Sequence, residues 1–325
     1  MQQITVTPND AGQRLDKFLQ KTFRLLPPSL MYKAIRKKDI KRNGKRIAAE
    51  DKLESGDIVS LYLPDDVLVR EAPVHEFMHA SKSLSVVYED AHIMLLNKPV
   101  GLLVHPDDRE FTDTLIFRVQ RYLYEKGEYD PDAEQSFAPA LVNRIDRNTC
   151  GIVIAAKTAA ALRILNDKLK KREIEKHYLC LVFGTMPKQT DTLEAFLDKN
   201  EAKNRVYISK DEGQGRRIAT RYTVLDEKDG ISLLDIDLLT GRTHQIRAHL
   251  ASVGHPLLGD GKYGKNEQNK RYGMTKQALC SYRLIFRFPT DAEELNYLRD
   301  REFRLDDVWF ATAFRNGEIR PRFTR

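Results

Sequence analysis

The sequence predicts an α+β fold, in which a domain with a mixed, largely antiparallel sheet follows a small α/β module. Strand-like segments follow one another across short turns, two helical patterns begin near Thr114 and Thr158, and residues 1–70 carry helices and strands of their own. Short turns join antiparallel neighbours, and 325 residues are enough for two hydrophobic cores. We therefore expect a module at 1–70, a linker at 71–83 and a larger domain at 84–325.

The module at residues 1–70 is predicted from its turns and helix ends. An amphipathic pattern starts at Arg14 and stops before Pro27, which cannot continue a helix. Ser29 is expected to cap a second helix, because a serine hydroxyl can accept a hydrogen bond from a free backbone amide. Asn43-Gly44 predicts a tight hairpin turn after that helix.

The larger domain is predicted to begin with a hairpin formed by residues 84–88 and 93–97. Helices then follow from the two threonines named above. Thr243 is expected to cap a short helix, and residues 291–299 are expected to form another near the end of the chain. The polar turn at 211–217 could grip a nucleic-acid stem or be a plain surface hairpin.

Positive charge is concentrated in the second helix of the module and the loop after it. The whole chain carries a net charge of +7 at pH 7, which indicates a polyanionic partner. Between residues 33 and 46, eight basic side chains accompany a single acid, Asp39. Such one-sided charge favours RNA contact over a merely solvated helix face. The candidate RNA-binding residues are Arg36, Lys37, Lys38, Lys41 and Arg42.

The sequence indicates neither a membrane protein nor a protein stabilised by disulfides. No apolar run approaches the roughly 20 residues needed to span a bilayer, and the first residues lack the features of a signal peptide. We expect a cytoplasmic protein with no membrane partner. The three cysteines are far apart and odd in number, so neither a disulfide framework nor a zinc site is indicated; they are Cys150, Cys180 and Cys280.

The strongest chemical signal lies in residues 143–151, NRIDRNTCG, where Asp146 stands between two arginines before a strand-like run. A carboxylate in this setting could be a charged group held in a cleft, or one charge of a solvated surface hairpin. Three further motifs occur in order with it: LLNKPVGLLVHP at 95–106, EKHYL at 175–179, and LTGRTHQIRAHL at 239–250.

Together these four motifs resemble those of the RluA-type pseudouridine synthases. In that family the motif that corresponds to residues 143–151 is usually His-Arg-Leu-Asp followed by a polar pair and Thr-Ser-Gly. The chain departs from that form at Asn143, Ile145 and Cys150. None of these changes touches the carboxylate, so they bear on local packing or RNA preference. The module at 1–70 resembles the S-four-type RNA-binding domain that often precedes the catalytic domain in this family.

The resemblance implies an RNA pseudouridine synthase that uses no cofactor and no metal. Large-subunit ribosomal RNA is the expected substrate, transfer RNA is the alternative, and a monomer is expected. Asp146 would be the catalytic carboxylate, acting either as a nucleophile on the sugar or as a base at ribose carbon 2. Arg247 would pair with it, Tyr178 would stack on the uracil, and Arg144 would help displace the target nucleotide from its stem.

Three other functions are compatible with single features of the sequence. The first is a non-catalytic RNA-binding protein that uses only the basic module. The second is a glycoside hydrolase, which needs a second acid near Asp146, such as Asp235, Asp237 or Asp260. The third is a metal enzyme with ligands among His244, His249 and His255, although the first two are not spaced as an i, i+4 pair.

Overall fold

The computed structural model describes residues 1–69, 75–108, 110–200, 205–209, 211 and 215–322. Residues 71–74 of the predicted linker and 212–214 of the predicted polar turn lie outside these ranges.

The N-terminal module is a small antiparallel sheet with two helices packed on it. Its elements are β1 (Gln2–Thr5), α1 (Leu15–Thr22), α2 (Pro28–Lys37), β2 (Ile40–Arg42), β3 (Lys45–Arg46) and β4 (Ile58–Leu61). The strands lie in the order β1-β4-β2-β3. Phe18 and Phe23 are fully buried in a core of the module's own. Asn43 and Gly44 have φ angles of 50° and 74° between β2 and β3, which confirms the predicted hairpin turn.

The larger domain is built around one mixed sheet of eleven described strands. They are β5 (Val86–Glu89), β6 (Ile93–Lys98), β7 (Ala140–Leu141), β8 (Cys150–Ala156), β9 (Ile174–Phe183), β10 (Thr190–Asn200), β11 (Arg205–Ser209), β12 (Arg216–Lys228), β13 (Ile231–Asp237), β14 (Leu279–Phe286) and β15 (Glu302–Arg304). The main path is β11-β10-β12-β13-β9-β14-β8-β6-β5, with β7 beside β8 and β15 beside β14. Among the described pairings between named strands, only that of β14 and β8 is parallel, so the predicted mixed, largely antiparallel sheet is confirmed.

Helices pack on both faces of β6 and β8, which precede and follow the loop that carries Asp146 in the chain. The described α-helices of the larger domain are α3 (Leu115–Glu125), α4 (Ala159–Lys170), α5 (Gln245–Ser252), α6 (Asn266–Arg271) and α7 (Trp309–Arg315). Leu95 and Ile154 point to the face that α4 covers, whereas Leu96 and Val153 point to the face that α3 covers. This alternation is the two-residue period of a strand buried on both sides. The predicted starts of α3 and α4 are confirmed.

Two predicted helix caps are wrong. Ser29 lies inside α2, which begins at Pro28 because a proline needs no amide hydrogen at the first helical position. Thr243 does not cap α5; His244 occupies that position with a left-handed φ of 54°. The helix expected over 291–299 is a 3-10 helix, Glu293–Leu298. None of the described helices is both long and apolar enough to cross a bilayer.

The module contacts the larger domain just before β7 and at α4. The Asn9 amide donates to Glu134 at 2.7 Å, and the Ser136 hydroxyl donates to Asp10 at 2.5 Å. From α4, the Arg163 guanidinium donates to the carbonyl of Ala11 at 2.8 Å. These contacts join the module to the segment that leads into the motif at 143–151.

Candidate active site

A cleft of about 680 Å³ lies where the four motifs of the sequence meet. Its walls include residues 103–107, 142–147 and 241–247, together with Thr149, Lys176 and Tyr178. Each motif contributes at least two of these residues. Segments that are far apart in the chain are thus brought to one site, because the strands that carry or adjoin the motifs, β6, β8, β9 and β13, lie in one sheet.

Buried Lys98 holds the loop that carries Asp146 by hydrogen bonds to backbone carbonyls. This lysine is fully buried at the end of β6, and its ammonium group donates to the carbonyls of Arg147 at 2.9 Å and Leu102 at 2.8 Å. Burial lowers the pKa of Lys98 to about 8. The Gly101 amide also donates to the Arg147 carbonyl at 2.9 Å. The backbone next to Asp146 is therefore tied to the turn after β6.

Asn143 and Cys150, two of the residues that depart from the usual family motif, lie at the two ends of the segment that carries Asp146. The side-chain oxygen of Asn143 accepts a hydrogen bond from the backbone amide of Ile154 at 2.8 Å, and Cys150 is buried. Next to it, Gly151 has a φ of 110°, and a Cβ at this position would lie 2.2 Å from the carbonyl oxygen of Ser281. Strands β8 and β14 can approach this closely only because residue 151 has no side chain.

Arg247 joins two carboxylates at the floor of the cleft. Its Nη1 donates to Oδ2 of Asp146 at 2.8 Å, so the predicted contact between these residues is present. The other side of the guanidinium donates to Asp260, from Nε at 2.7 Å and from Nη2 at 3.0 Å. Burial lowers the pKa of Arg247, but Asp260 and Asp146 outweigh burial and raise it above its ordinary value. The cation is permanent and its orientation is fixed.

Asp260 anchors this arrangement from inside the protein. Its side chain is fully buried, and Oδ1 also accepts hydrogen bonds from the backbone amides of Lys262 at 2.8 Å and Tyr263 at 3.1 Å. Burial raises the pKa of Asp260, but Arg247 and the two amides hold it below its ordinary range. An ionised, fully hydrogen-bonded carboxylate has no proton to give. Asp260 therefore cannot be the general acid that a glycoside hydrolase would need.

Tyr178 forms an apolar wall of the cleft from strand β9. Its side chain is buried and packs in one cluster with Ile246, Leu279 and Ile145. Burial raises the pKa of Tyr178, so the hydroxyl stays protonated at neutral pH. The residue thus offers a ring face and a neutral hydroxyl, and it is a poor base.

His244 reaches the same carboxylate from the start of α5. Its Nε2 lies 3.9 Å from Oδ2 of Asp146, and its Nδ1 lies 2.9 Å from the hydroxyl of Tyr263. That hydroxyl accepts from the amide of Val206 at 3.0 Å, so its own hydrogen can be donated to Nδ1. Burial lowers the pKa of His244, which favours the neutral ring. A neutral ring whose Nδ1 accepts from Tyr263 carries its hydrogen on Nε2, the nitrogen that faces Asp146.

The other two histidines of the metal hypothesis do not converge with His244. His249 shares a 3.0 Å hydrogen bond with Thr220, and His255 shares one of 2.9 Å with the carbonyl of Phe183. Among the residues that the structure describes, no three acidic, histidine or cysteine side chains are grouped as metal ligands would be.

Comparison with known proteins identifies the family. A family model described as RNA pseudouridylate synthase matches residues 92–252. A ribosomal large subunit pseudouridine synthase C of Haemophilus ducreyi is 33% identical over 300 residues, which cover 91% of this chain and 90% of the relative. The protein of the same name from Escherichia coli strain K12 is 34% identical over 298 residues, covering 89% and 90%. The chain belongs to the RNA pseudouridylate synthases.

Two solved structures share the pseudouridylate synthase fold. Human RNA pseudouridylate synthase domain containing 1 aligns with a TM-score of 0.52 at 22% identity and covers 78% of this chain and 100% of its own. Human RNA pseudouridylate synthase domain containing 4 aligns with a TM-score of 0.55 at 16% identity, covering 70% and 90%.

As a pseudouridylate synthase, the protein isomerises uridine to pseudouridine in RNA. The cleft brings together the four residues that the resemblance selected: Arg144, Asp146, Tyr178 and Arg247. Arg144 is exposed at its edge. The basic residues of the N-terminal module lie on a separate surface, and among them Arg42 is bound to Glu54 at 3.0 Å and Asp57 at 2.7 Å.

The sequence did not predict the part that Lys98, His244 and Asp260 play in holding this site together, although His244 and Asp260 were candidates for other functions. Lys98 and His244 lie inside motifs that carried the resemblance, and this was a usable signal. Asp260 stands between two glycines in Gly259-Asp260-Gly261, a pattern that predicts a turn. The pattern does not indicate that Asp260 contacts Arg247.

Proposed function

We propose that this pseudouridylate synthase acts on large-subunit ribosomal RNA, with Asp146 as the catalytic carboxylate. The observation that carries the proposal is the Asp146 to Arg247 contact at 2.8 Å, in a cleft lined by all four motifs. The ribosomal substrate is supported by the names of the relatives in Haemophilus ducreyi and Escherichia coli.

The two oxygens of Asp146 would have different tasks. Oδ2 accepts the hydrogen bond from Arg247, whereas Oδ1 accepts no hydrogen bond from any residue in the described ranges. Oδ1 is therefore the oxygen available to react, either with the sugar or with its carbon 2 proton. The side chain is 25% exposed, so it can be reached from the cleft.

The rest of the cleft would hold the base while it is detached. Isomerisation replaces the bond from ribose carbon 1 to base nitrogen 1 with a bond to carbon 5; a proton then leaves carbon 5, and nitrogen 1 takes up a proton. The ring of Tyr178 can stack on the turned uracil, and its neutral hydroxyl can hydrogen-bond to it. Since the base must leave its stem first, an exposed cation at the cleft edge, Arg144, suits the displaced backbone.

Positive charge around the cleft supports an RNA substrate. Besides Arg247, four lysine and arginine side chains line it, namely Arg144, Arg147, Lys176 and Arg242. We assign the module at 1–70 as a second RNA-binding surface of the S-four type, joined to the catalytic domain at 84–325 by the linker at 71–83. Its candidate phosphate contacts are Arg36, Lys37, Lys38, Lys41 and Arg42, of which Arg42 is already held by acids of the module. A cytoplasmic location and a monomeric state stay predictions.

Pseudouridine mapping tests the proposed substrate. Ribosomal and transfer RNA would be mapped from cells that lack the protein, and from the same cells carrying either the wild type or Asp146→Asn. The expected result is the loss of pseudouridine from large-subunit ribosomal RNA, restored by the wild type alone. Loss from transfer RNA with intact ribosomal RNA would make transfer RNA the substrate. No loss from either RNA would favour the non-catalytic RNA-binding protein.

A further inference from the structure

The N-terminal module carries a groove of its own, about 350 Å³ in volume, between helix α2 and the chain that follows β3. Its lining residues are Tyr32, Ile35, Arg36, Arg46, Ile47, Ala48, Ala49 and Glu50. The groove belongs to a different domain from the catalytic cleft. It has a chemistry of its own.

The groove combines an apolar floor with one exposed aromatic ring. Ile35 and Ile47 are buried beneath it, and Ala48 and Ala49 are half-buried at its side. Tyr32 is 39% exposed above this floor. A flat ring beside small aliphatic side chains offers a slot for another flat ring.

A buried carboxylate holds Tyr32 in place. The tyrosine hydroxyl donates to Oδ2 of Asp16 at 3.1 Å, and this hydrogen bond raises the pKa of Tyr32. The Asp16 side chain is only 2% exposed and also accepts from Arg14 at 2.8 Å and 3.1 Å. Because the ring is fixed before any ligand arrives, little side-chain freedom is lost on stacking.

Two free cations flank the slot. Arg36 and Arg46 are exposed, and neither forms an ion pair with an acid of the described residues. Glu50 is the one acid of the lining, and its carboxylate can accept a hydrogen bond from an amino group of a base. Cations with an intervening aromatic ring are the usual equipment of a single-stranded nucleic-acid site.

We propose that this groove receives one unpaired base of the substrate RNA, stacked on Tyr32, with the adjoining phosphates held by Arg36 and Arg46. The proposal rests on the RNA substrate assigned above and adds a second contact of defined chemistry. It gives the module a preference for unpaired RNA carrying amino-bearing bases, which a purely electrostatic surface would lack. Paired RNA has no base to offer and binds the module through phosphates alone.

Binding of the full chain to two labelled probes, followed by fluorescence anisotropy over a range of salt concentrations, tests this. The probes are a short single-stranded adenosine RNA and a fully paired RNA duplex. Tyr32→Ala should weaken single-strand binding by roughly 5-fold or more without changing the salt slope, because stacking releases no counterions. Duplex affinity should stay at the wild-type value. Arg36→Gln should instead lower the single-strand salt slope by about 0.7.

Two further variants separate stacking from folding. Tyr32→Phe keeps the ring and loses the bond to Asp16, so it should bind the single strand within about 2-fold of the wild type. Tyr62→Ala is the matched control, since Tyr62 is a 48% exposed tyrosine of the same module outside the groove. It should leave the preference for single strands intact.

Unchanged single-strand binding in Tyr32→Ala would overturn the proposal and leave the groove to another occupant, such as a protein segment. Equal losses in Tyr32→Ala and Tyr62→Ala, or in Tyr32→Phe and Tyr32→Ala, would overturn it as well. The proposed substrate is judged separately, by the pseudouridine map. If Tyr32→Ala leaves single-strand binding unchanged while the map shows ribosomal RNA as the substrate, only the groove proposal is refuted. If Tyr32→Ala weakens single-strand binding while the map shows no dependence of ribosomal RNA on the protein, only the proposed substrate is refuted.

Discussion

Removing the charge of Asp260 should disable the site without touching any group that contacts the substrate. Asp260→Asn keeps the size of the side chain and replaces one oxygen with an amide nitrogen. Among the described residues, Oδ2 accepts a hydrogen bond only from Nε of Arg247, whereas Oδ1 accepts from Nη2 of Arg247 and from two backbone amides. The amide nitrogen will therefore face Nε of Arg247, where a donor meets a donor.

The size of the effect follows from burial. Breaking a buried ion pair by removing one partner destabilises a protein by about 3–5 kcal/mol, and the low end applies because Asp146 still pairs with Arg247. A guanidinium without its anchor can shift toward Asp146. A shift of about 1 Å in a catalytic group can slow a reaction about 100-fold. We expect a stability loss near 3 kcal/mol and a rate loss of about 10- to 100-fold.

Single-turnover isomerisation and urea unfolding measure the two effects. Asp235→Asn is the matched control, because Asp235 pairs with Arg283 at 3.0 Å in the same sheet but does not line the cleft. The control should lose stability and keep its rate, while RNA affinity stays within a few-fold of the wild type in both variants. Equal rates in the two variants would refute the idea that Asp260 positions Arg247.

Three further substitutions test other parts of the account. Tyr178→Phe keeps the ring, so RNA affinity should hold, but deuterium at uridine carbon 5 should slow the variant more than the wild type; equal isotope effects would argue against a role for the hydroxyl in proton loss. Gly151→Ala forces a Cβ to within 2.2 Å of the Ser281 carbonyl oxygen at a φ of 110° and should lower the free energy of unfolding by at least about 2 kcal/mol, as urea denaturation would show. Burial lowers the pKa of His249 from 6.5 to about 4, so below pH 6.5 only the unfolded state takes up the proton and stability falls as pH falls. The loss should reach about 2 kcal/mol at pH 5, and a His249→Gln variant with the same pH dependence would contradict it.

Local signals were sufficient for many of the elements. The spacing after Thr114 and Thr158 and the Asn43-Gly44 turn each depend on residues within a few positions, so the sequence predicts them well. The motif residues of the cleft were found by resemblance, because a family pattern records contacts between distant segments that no periodicity reveals.

Contacts across long stretches of chain were beyond reach. The parallel pairing of Cys150 with Cys280 depends on how β14 threads between β8 and β9, and strand order is a property of the whole sheet. His244, whose backbone is left-handed and whose side chain contacts Tyr263 from a distant part of the chain, occupies the cap position in place of the neighbouring threonine. The sequence predicted Arg42 as a free cation of the basic cluster, whereas in the structure it pairs with Glu54 and Asp57.

Single-turnover isomerisation by Asp146→Asn tests the central claim most directly. Homogeneous enzyme, shown by mass to be undeamidated, would be mixed with tritium-labelled ribosomal RNA, and both binding and tritium release would be measured. The amide is the same size as the carboxylate, but it neither attacks the sugar nor takes its proton. We predict RNA affinity within a few-fold of the wild type and no tritium release above background. Appreciable release from this variant would contradict the assignment of Asp146 as the catalytic carboxylate.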